Sequence, residues 1–327
     1  MRIVINGFGR IGRTILRQIL TDPAHHDIDV ALINEIAPLE TCAYLFKYDS
    51  TFGPLPLAVS VEGTGLRLGD RWVPFTNKSK LGDIPAVDVV MECTGKLTSR
   101  AMAARGLAHD ARAVLISGPS EYADVTAVLG ANEDAVGDAQ IISNSSCTTN
   151  AIAPLLRALH SAAPFLRAHV TTIHCFTGSQ PLVDAPRGDL ARSRAGAESI
   201  VPTTTSAAHE LEGILPEIGA RTSVAAVRVP SLSVSAVDVT LQLEAPLDGD
   251  PQKFLRAITA TSPVIGATED PCVSRDMRGR PESVVLALPQ TQMIHGTQLR
   301  LFGWYDNEWG FSARMIDMAR RLAARNA

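Results

Sequence analysis

Apolar residues recur along this chain in two rhythms. Residues 2–6, RIVIN, form a short β-rich run. The glycine-rich GFGRIG follows, and then RTILRQIL places Ile15, Leu16, Ile19 and Leu20 at helical spacing. IDVALIN, VDVVMECTG (87–95) and AVLISGPS (113–120) are continuous apolar runs, as strands buried on both faces require. TAVLGAN and AQIISNSS extend the run of predicted strands to Cys147. Beyond it, TTNAIAPLLRALHSAA returns to helical spacing through Ile152, Leu155, Leu156 and Leu159, with Pro154 placed in the first turns, where a missing N–H costs little. AHVTTIHCF (168–176) reads as a strand. Residues 224–244 are strand-rich, and SVSAVDVTLQLE within them alternates apolar and polar, the signature of a half-buried antiparallel sheet. The chain closes on MIDMARRLAARN, in which Met315, Met318, Ala319 and Leu322 share one face of a packing helix. The pattern predicts an α/β protein of two domains that change over near residue 146.

Composition narrows the class. The 327 residues are 46% hydrophobic and 20% charged, enough for two cores. A net charge of -4 argues against nucleic acid as a partner. No apolar run approaches the roughly 18–20 residues of a membrane span, and MRIVINGFGR lacks signal-peptide regions. The five cysteines (Cys42, Cys93, Cys147, Cys175, Cys272) are scattered, with no CxxC, so neither a disulfide framework nor a metal site is expected and a cytoplasmic setting fits.

Strand, glycine turn and helix stand in the order that binds a dinucleotide. Gly7 permits the tight turn, Gly9 lets a pyrophosphate approach, and Gly12 lets helix and strand pack closely. Glu35, at the end of the second strand, is placed to bond the ribose hydroxyls of NAD and to repel the extra phosphate of NADP. Thr94-Gly95 and Ser117-Gly118 end later strands at the sheet edge where ligands bind.

In SNSSCTTN, Cys147 is ringed by small polar residues at a helix start, where the dipole is expected to lower the thiol pKa. Thr148, Thr149 and Asn150 supply donors. His174 is the candidate base, the alternative being a satisfied core histidine. Cys175 alternates to the other face of its strand, and Cys42, Cys93 and Cys272 read as packing residues. VPTTTSAAHE (201–210) is a hydroxyl-rich approach to a helix, with Thr205 and Ser206 at its start. Arg228 lies between apolar strand residues and needs a partner, either a ligand phosphate or a carboxylate.

The stretches INGFGRIGR, KYDSTFG (47–53), ECTG (92–95), SNSSCTTN (143–150), TTIHCFTGSQ (171–180), VPTTTSAA (201–208), VRVPS (227–231) and WYDNEWGFS (304–312), in this order, closely resemble phosphorylating glyceraldehyde-3-phosphate dehydrogenases from end to end. The resemblance implies an N-terminal Rossmann NAD-binding domain (1–146), completed by the C-terminal helix (312–327). It also implies an α+β catalytic domain with an antiparallel sheet (147–311). Cys147 matches the family nucleophile and His174 its base. Thr177 and Arg228 match the substrate-phosphate site, and Ser146, Thr148 and Thr205 the site of inorganic phosphate, whose loop includes Ser206. Gly7, Arg10, Ile11, Glu35, Ser117 and Asn307 match NAD-contacting positions. A phosphorylated aldose and inorganic phosphate as partners, the glycolytic reaction, and a cytoplasmic homotetramer follow from the same resemblance, with a loop at about 176–200 reaching a neighbour's cofactor.

Four residues depart from the family pattern. Ser179 replaces an aspartate, Ser206 a glycine, Glu35 an aspartate, and Ala151 the usual second cysteine. Residues 274–285 differ too. The sister erythrose-4-phosphate dehydrogenases share the cysteine and histidine and release the acyl group to water, but usually lack the step Thr177-Gly178 seen here. That alternative, and a paralogue using arsenate in place of phosphate, remain open from sequence.

Overall fold

The computed structural model describes residues 1–325, so the last two residues of the expected C-terminal helix lie outside the described residues. The chain divides into two compact units. One comprises Met1–Ala127, Asp134–Ser146 and the chain from Ser312; the other comprises Val128–Glu133 and Cys147–Phe311.

The first unit is built on a nine-stranded sheet. From one edge the strands run Val59–Glu62, Gly65–Leu68, Arg71–Thr76, Asp29–Asn34, Arg2–Asn6, Val87–Glu92, Ala111–Ile116, Ile141–Ser143 and Val125–Thr126. From Arg71–Thr76 onward every pairing is parallel. The continuous apolar runs become the buried central strands, because parallel strands are covered on both faces. The chain leaves Arg2–Asn6 on one side, goes out through Asp29–Asn34, and returns on the other side at Val87–Glu92. The strand order therefore reverses at Arg2–Asn6, and the crevice beyond its carboxyl end is a switch point where ligands bind. TAVLGAN is shorter as a strand than its composition suggests. Only Val125–Thr126 pairs, because the chain turns off after Ala127 and Val128–Glu133 joins the other unit.

The second unit holds an eight-stranded mixed sheet. Its path is Val201–Thr203, Thr222–Val229, Phe165–Cys175, Ser235–Leu243, Gln298–Tyr305, Val284–Ala287 and Ile265–Thr268, with Gln292–Ile294 beside Gln298–Tyr305. The expected antiparallel character holds at its centre, where Ser235–Leu243 pairs antiparallel on both sides and buries alternate residues. Phe165–Cys175 pairs parallel with Thr222–Val229, however, and Ile265–Thr268 with Val284–Ala287. The helix Cys147–Ala162 buries Ile152, Leu155, Leu156 and Leu159 against this sheet's core. The helix begins at Cys147, so Pro154 is interior rather than in the first turns, and its ring nitrogen cannot donate to the Asn150 carbonyl.

Candidate functional sites

In the first unit, the loops at the carboxyl edge of the sheet are tied by backbone bonds. The Gly7 N–H donates to the Asn34 carbonyl at 2.8 Å, Cys93 N–H to Asn6 at 2.7 Å, and Ser117 N–H to Glu92 at 2.9 Å. Gly7 has φ 95°, and a Cβ there would stand 2.6 Å from the Cys93 carbonyl carbon and the Thr94 nitrogen. A Cβ on Gly12 would meet the Gly7 oxygen at 2.2 Å, whereas one on Gly9 would meet nothing within 4 Å. The first two glycines are needed by the fold itself. Gly9 leaves open space at the start of helix Arg10–Thr21, whose N-terminus has no side-chain cap. Backbone N–H groups of a first turn and the positive end of the dipole suit a pyrophosphate.

A cavity of about 340 Å³ adjoins this helix start and is lined by Gly7, Gly9, Asn34, Glu35 and Thr94 among others. A second, of about 220 Å³, is lined by Glu92, Gly95, Ser117 and Gly118. Glu35 turns toward the glycine loop. Its Oε2 accepts from the Phe8 N–H at 2.8 Å and its Oε1 from Ile36 and Ala37. Arg10 pairs with Asp49 and stacks over Phe52, and Ile11 is half-buried beside it. Thr94 N–H donates to Glu92 Oε1 at 3.0 Å. Glu92, 5% exposed, also accepts from Asn6 Nδ2 and from the Thr94 hydroxyl. The sequence reading passed over Glu92; a carboxylate ending an otherwise apolar strand was the available signal. An uncapped helix start, an open Gly9 and a placed acid together fit NAD.

In the second unit, Cys147 Sγ lies 3.5 Å from His174 Nε2. The sulfur sits where four small polar residues, Ser143 to Ser146, turn the chain into a helix. Ser145 takes the left-handed region with φ 59°, and its N–H donates to Ser143 Oγ. His174, on strand Phe165–Cys175, is paired in parallel register with Arg228 on Thr222–Val229. Its Nδ1 lies 2.7 Å from the Cys175 carbonyl and 2.6 Å from Arg228 Nη1, which also donates to that carbonyl at 3.0 Å. The partners of Arg228 are thus an imidazole and a carbonyl, not the carboxylate considered above.

A guanidinium only donates and a carbonyl only accepts. With its proton on Nδ1, the ring donates to Cys175 and turns a free Nε2 lone pair to the sulfur. With the proton on Nε2, Nδ1 accepts from Arg228 and Nε2–H faces the sulfur. Each form leaves one contact mismatched: with Nδ1–H two donors meet at 2.6 Å, and with Nε2–H two acceptors meet at 2.7 Å.

Burial pushes the Cys147 thiol up to about 11, although Arg228 and bonds from Thr148 pull it down. The lowering expected from the helix terminus is outweighed by loss of water. Burial, then the charge of Arg228, pushes His174 down to about 4, against the Cys175 carbonyl. Cys175 and Cys93 are pushed by burial up to about 12 and Cys42 up to about 11, consistent with inert thiols.

The remaining expected residues gather unevenly. The Thr148 hydroxyl, nearly buried, shares a hydrogen bond with the Tyr305 hydroxyl at 2.9 Å, and Thr172 shares another with it at 2.7 Å. The Tyr305 ring packs edge-on against His174 with centroids 6.0 Å apart. Tyr305 was not singled out from sequence, since nothing local marks a tyrosine at a strand end. Thr177 and Ser179 bond each other at 2.9 Å on the surface. Thr205 Oγ1 accepts from the Ala207 N–H at 3.2 Å, and Ser206 Oγ donates to Glu210. Ser146 precedes Cys147 and is half-buried. Asn307 Oδ1 accepts from Cys175 Sγ at 3.2 Å and from Ser235 Oγ, which holds the amide behind the His174 strand. Among the described residues no group of His, Cys, Asp and Glu could hold a metal ion, and no helix is long and apolar enough to cross a membrane.

Comparison with known proteins agrees over both units. The family described as glyceraldehyde 3-phosphate dehydrogenase, NAD binding domain, matches residues 1–100, and its C-terminal domain counterpart matches 146–307. The chain is 40% identical to the glyceraldehyde-3-phosphate dehydrogenase of Xanthobacter flavus, covering 98% of this chain and 97% of the relative. It is 38% identical to that of Geobacillus stearothermophilus over 99% of both chains, and 35% identical to glyceraldehyde-3-phosphate dehydrogenase 1 of Bacillus subtilis over 99% and 98%. With a Rossmann-type NAD cradle in one unit and a cysteine–histidine pair in the other, the chain belongs to the glyceraldehyde-3-phosphate dehydrogenase family and is an NAD-dependent oxidoreductase.

Proposed function

We infer that the protein oxidises glyceraldehyde 3-phosphate and transfers the acyl group to inorganic phosphate, giving 1,3-bisphosphoglycerate. The observation that carries this reading is the Cys147 Sγ–His174 Nε2 approach of 3.5 Å, with Arg228 on the far side of the ring.

Cys147 supplies the sulfur that adds to the aldehyde carbon. His174, in its Nδ1–H form, takes the thiol proton on Nε2 as sulfur attacks, so no free thiolate has to persist in a site that raises its pKa. The resulting imidazolium donates from Nε2 to the hemithioacetal oxygen. The Cys147 N–H, at the first helical position, has no intrahelical acceptor and adds a second donor. His174 then removes the hydroxyl proton so that the carbonyl of a thioester can form. Bound NAD supplies the two-electron acceptor for that oxidation. A phosphate oxygen then attacks the acyl carbon, the C–S bond breaks, and sulfur is reprotonated through His174. Arg228 and Thr177 hold the phosphate of the substrate, and Ser146, Thr148, Thr205 and Ser206 surround the attacking phosphate. Gly7, Gly9, Arg10, Ile11, Gly12, Glu35, Thr94, Gly95, Ser117 and Asn307 serve the cofactor.

The test is NADH formation from glyceraldehyde 3-phosphate and from erythrose 4-phosphate, each with and without inorganic phosphate or arsenate. Rapid triose oxidation that inorganic phosphate accelerates, with 1,3-bisphosphoglycerate among the products, is expected, and Cys147→Ala should abolish it while leaving NAD binding intact. Preference for erythrose 4-phosphate without need of phosphate would overturn the reading.

A further inference from the structure

Glu210 stands in the first turn of helix Ala207–Ile214, and its carboxylate spans two segments that flank the nucleophile. Its Oε2 accepts from Thr149 Oγ1 at 2.9 Å and its Oε1 from Ser206 Oγ. Thr149 lies two residues after Cys147 in the first turn of the helix that Cys147 begins. Ser206 immediately precedes the other helix, directly after Thr205. A negative charge therefore sits between the two helix N-termini that would otherwise attract an anion beside the sulfur. Its influence reaches Cys147, whose thiol it helps to raise.

The hydroxyls are affected as well. A hydroxyl has one proton to give. Ser206 is exposed, but its proton is committed to Glu210, so toward solvent it offers lone pairs rather than a donor. Thr149 is fully buried and spends its proton the same way. An anionic acyl acceptor meets a like charge and fewer donors. A neutral acceptor such as water meets neither obstacle.

We propose that Glu210 determines which acceptor takes the acyl group: it weakens inorganic phosphate at the Cys147 thioester and lets water compete. This rests on the catalytic reading above. In the competing release, the water oxygen bonds to the acyl carbon, the C–S bond breaks, and the water proton passes to the departing sulfur. The products are the free acid and the thiol, with no further change of oxidation state.

Glu210→Gln removes the charge and keeps the side-chain length. At saturating aldehyde and NAD, its KM for inorganic phosphate should fall about tenfold, and the share of free acid among the products should fall with it. The KM values for aldehyde and NAD should not move, whereas loss of a merely structural strut would disturb all three. Glu210→Ala provides a second variant with the same expectation, in case glutamine packs poorly. An unchanged phosphate KM in a folded variant overturns the proposal. A parallel measurement needs no turnover: protection of Cys147 from iodoacetamide by inorganic phosphate. Half-protection should need about tenfold less phosphate in Glu210→Gln. If the unaltered protein fails to oxidise triose phosphate, the catalytic reading falls. The protection assay still decides on Glu210, and equal half-protection would overturn its role.

Discussion

At the scale of single residues, the depressed imidazole of His174 makes stability depend on pH. Its value falls from the ordinary 6.5 to about 4 because burial, and then Arg228, oppose its charge. Between those values the unfolded chain binds a proton that the folded chain refuses. This contribution to stability is therefore complete above 6.5 and is lost as pH falls toward 4. Taken alone, the shift predicts that the protein loses about 2 kcal/mol more than His174→Asn between about pH 7.5 and about pH 5, as urea unfolding would measure. Equal losses would show that the folded ring does accept a proton, as an imidazolium beside a Cys147 thiolate would. Cys147 and His174 were legible in the sequence as candidates because each stands in a distinctive local string. The direction of the thiol shift was not, because desolvation depends on what the tertiary structure lays over the sulfur. Glu210 was silent for the same kind of reason: only the folded chain brings its carboxylate to Thr149.

At the scale of elements, the strand–turn–helix at the start of the chain was readable to within a residue or two, and the crowding at Gly7 and Gly12 agrees with a tight turn and close helix–strand packing. The helix starts at Cys147, as its polar lead-in suggests, but Pro154 lies in the interior rather than in the first turns, because helical spacing reveals a face and not whether a proline on it interrupts the hydrogen bonding. The glycine duties can be separated experimentally. Gly12→Ala would force a Cβ against the Gly7 carbonyl, so we expect a loss of about 1–3 kcal/mol in thermal or urea unfolding, together with lost NAD binding. Gly9→Ala meets no protein atom, so folding stability should be unaffected while NAD affinity, measured by calorimetric titration, falls about tenfold or more. A Gly9→Ala protein that binds NAD normally would remove this helix start from the cofactor site.

At the scale of the whole molecule, strand order is what the sequence concealed. The reversal at Arg2–Asn6 and the insertion of Val128–Glu133 into the second unit are set by non-local pairing, which leaves no periodic trace. Surface apolarity is equally invisible until burial is known, and it points to assembly. In the segment 176–200, Leu182 and Val183 are each 75% exposed, Leu190 is 88% and Ile200 is 71%. Such a cluster in one segment is more than the scattered exposure of an ordinary surface, and a contact with another copy would cover it. We expect a homotetramer in solution, with this segment buried between protomers. Light scattering on the unaltered protein should give about four times the monomer mass. Leu182→Asp combined with Leu190→Asp should lower that mass, since a carboxylate buried without a partner is strongly unfavourable. If the segment also reaches a neighbouring cofactor, as the family resemblance implies, NAD affinity should fall in the same variant. A monomeric unaltered protein, or a variant whose mass does not change, would leave these four side chains without an assembly role.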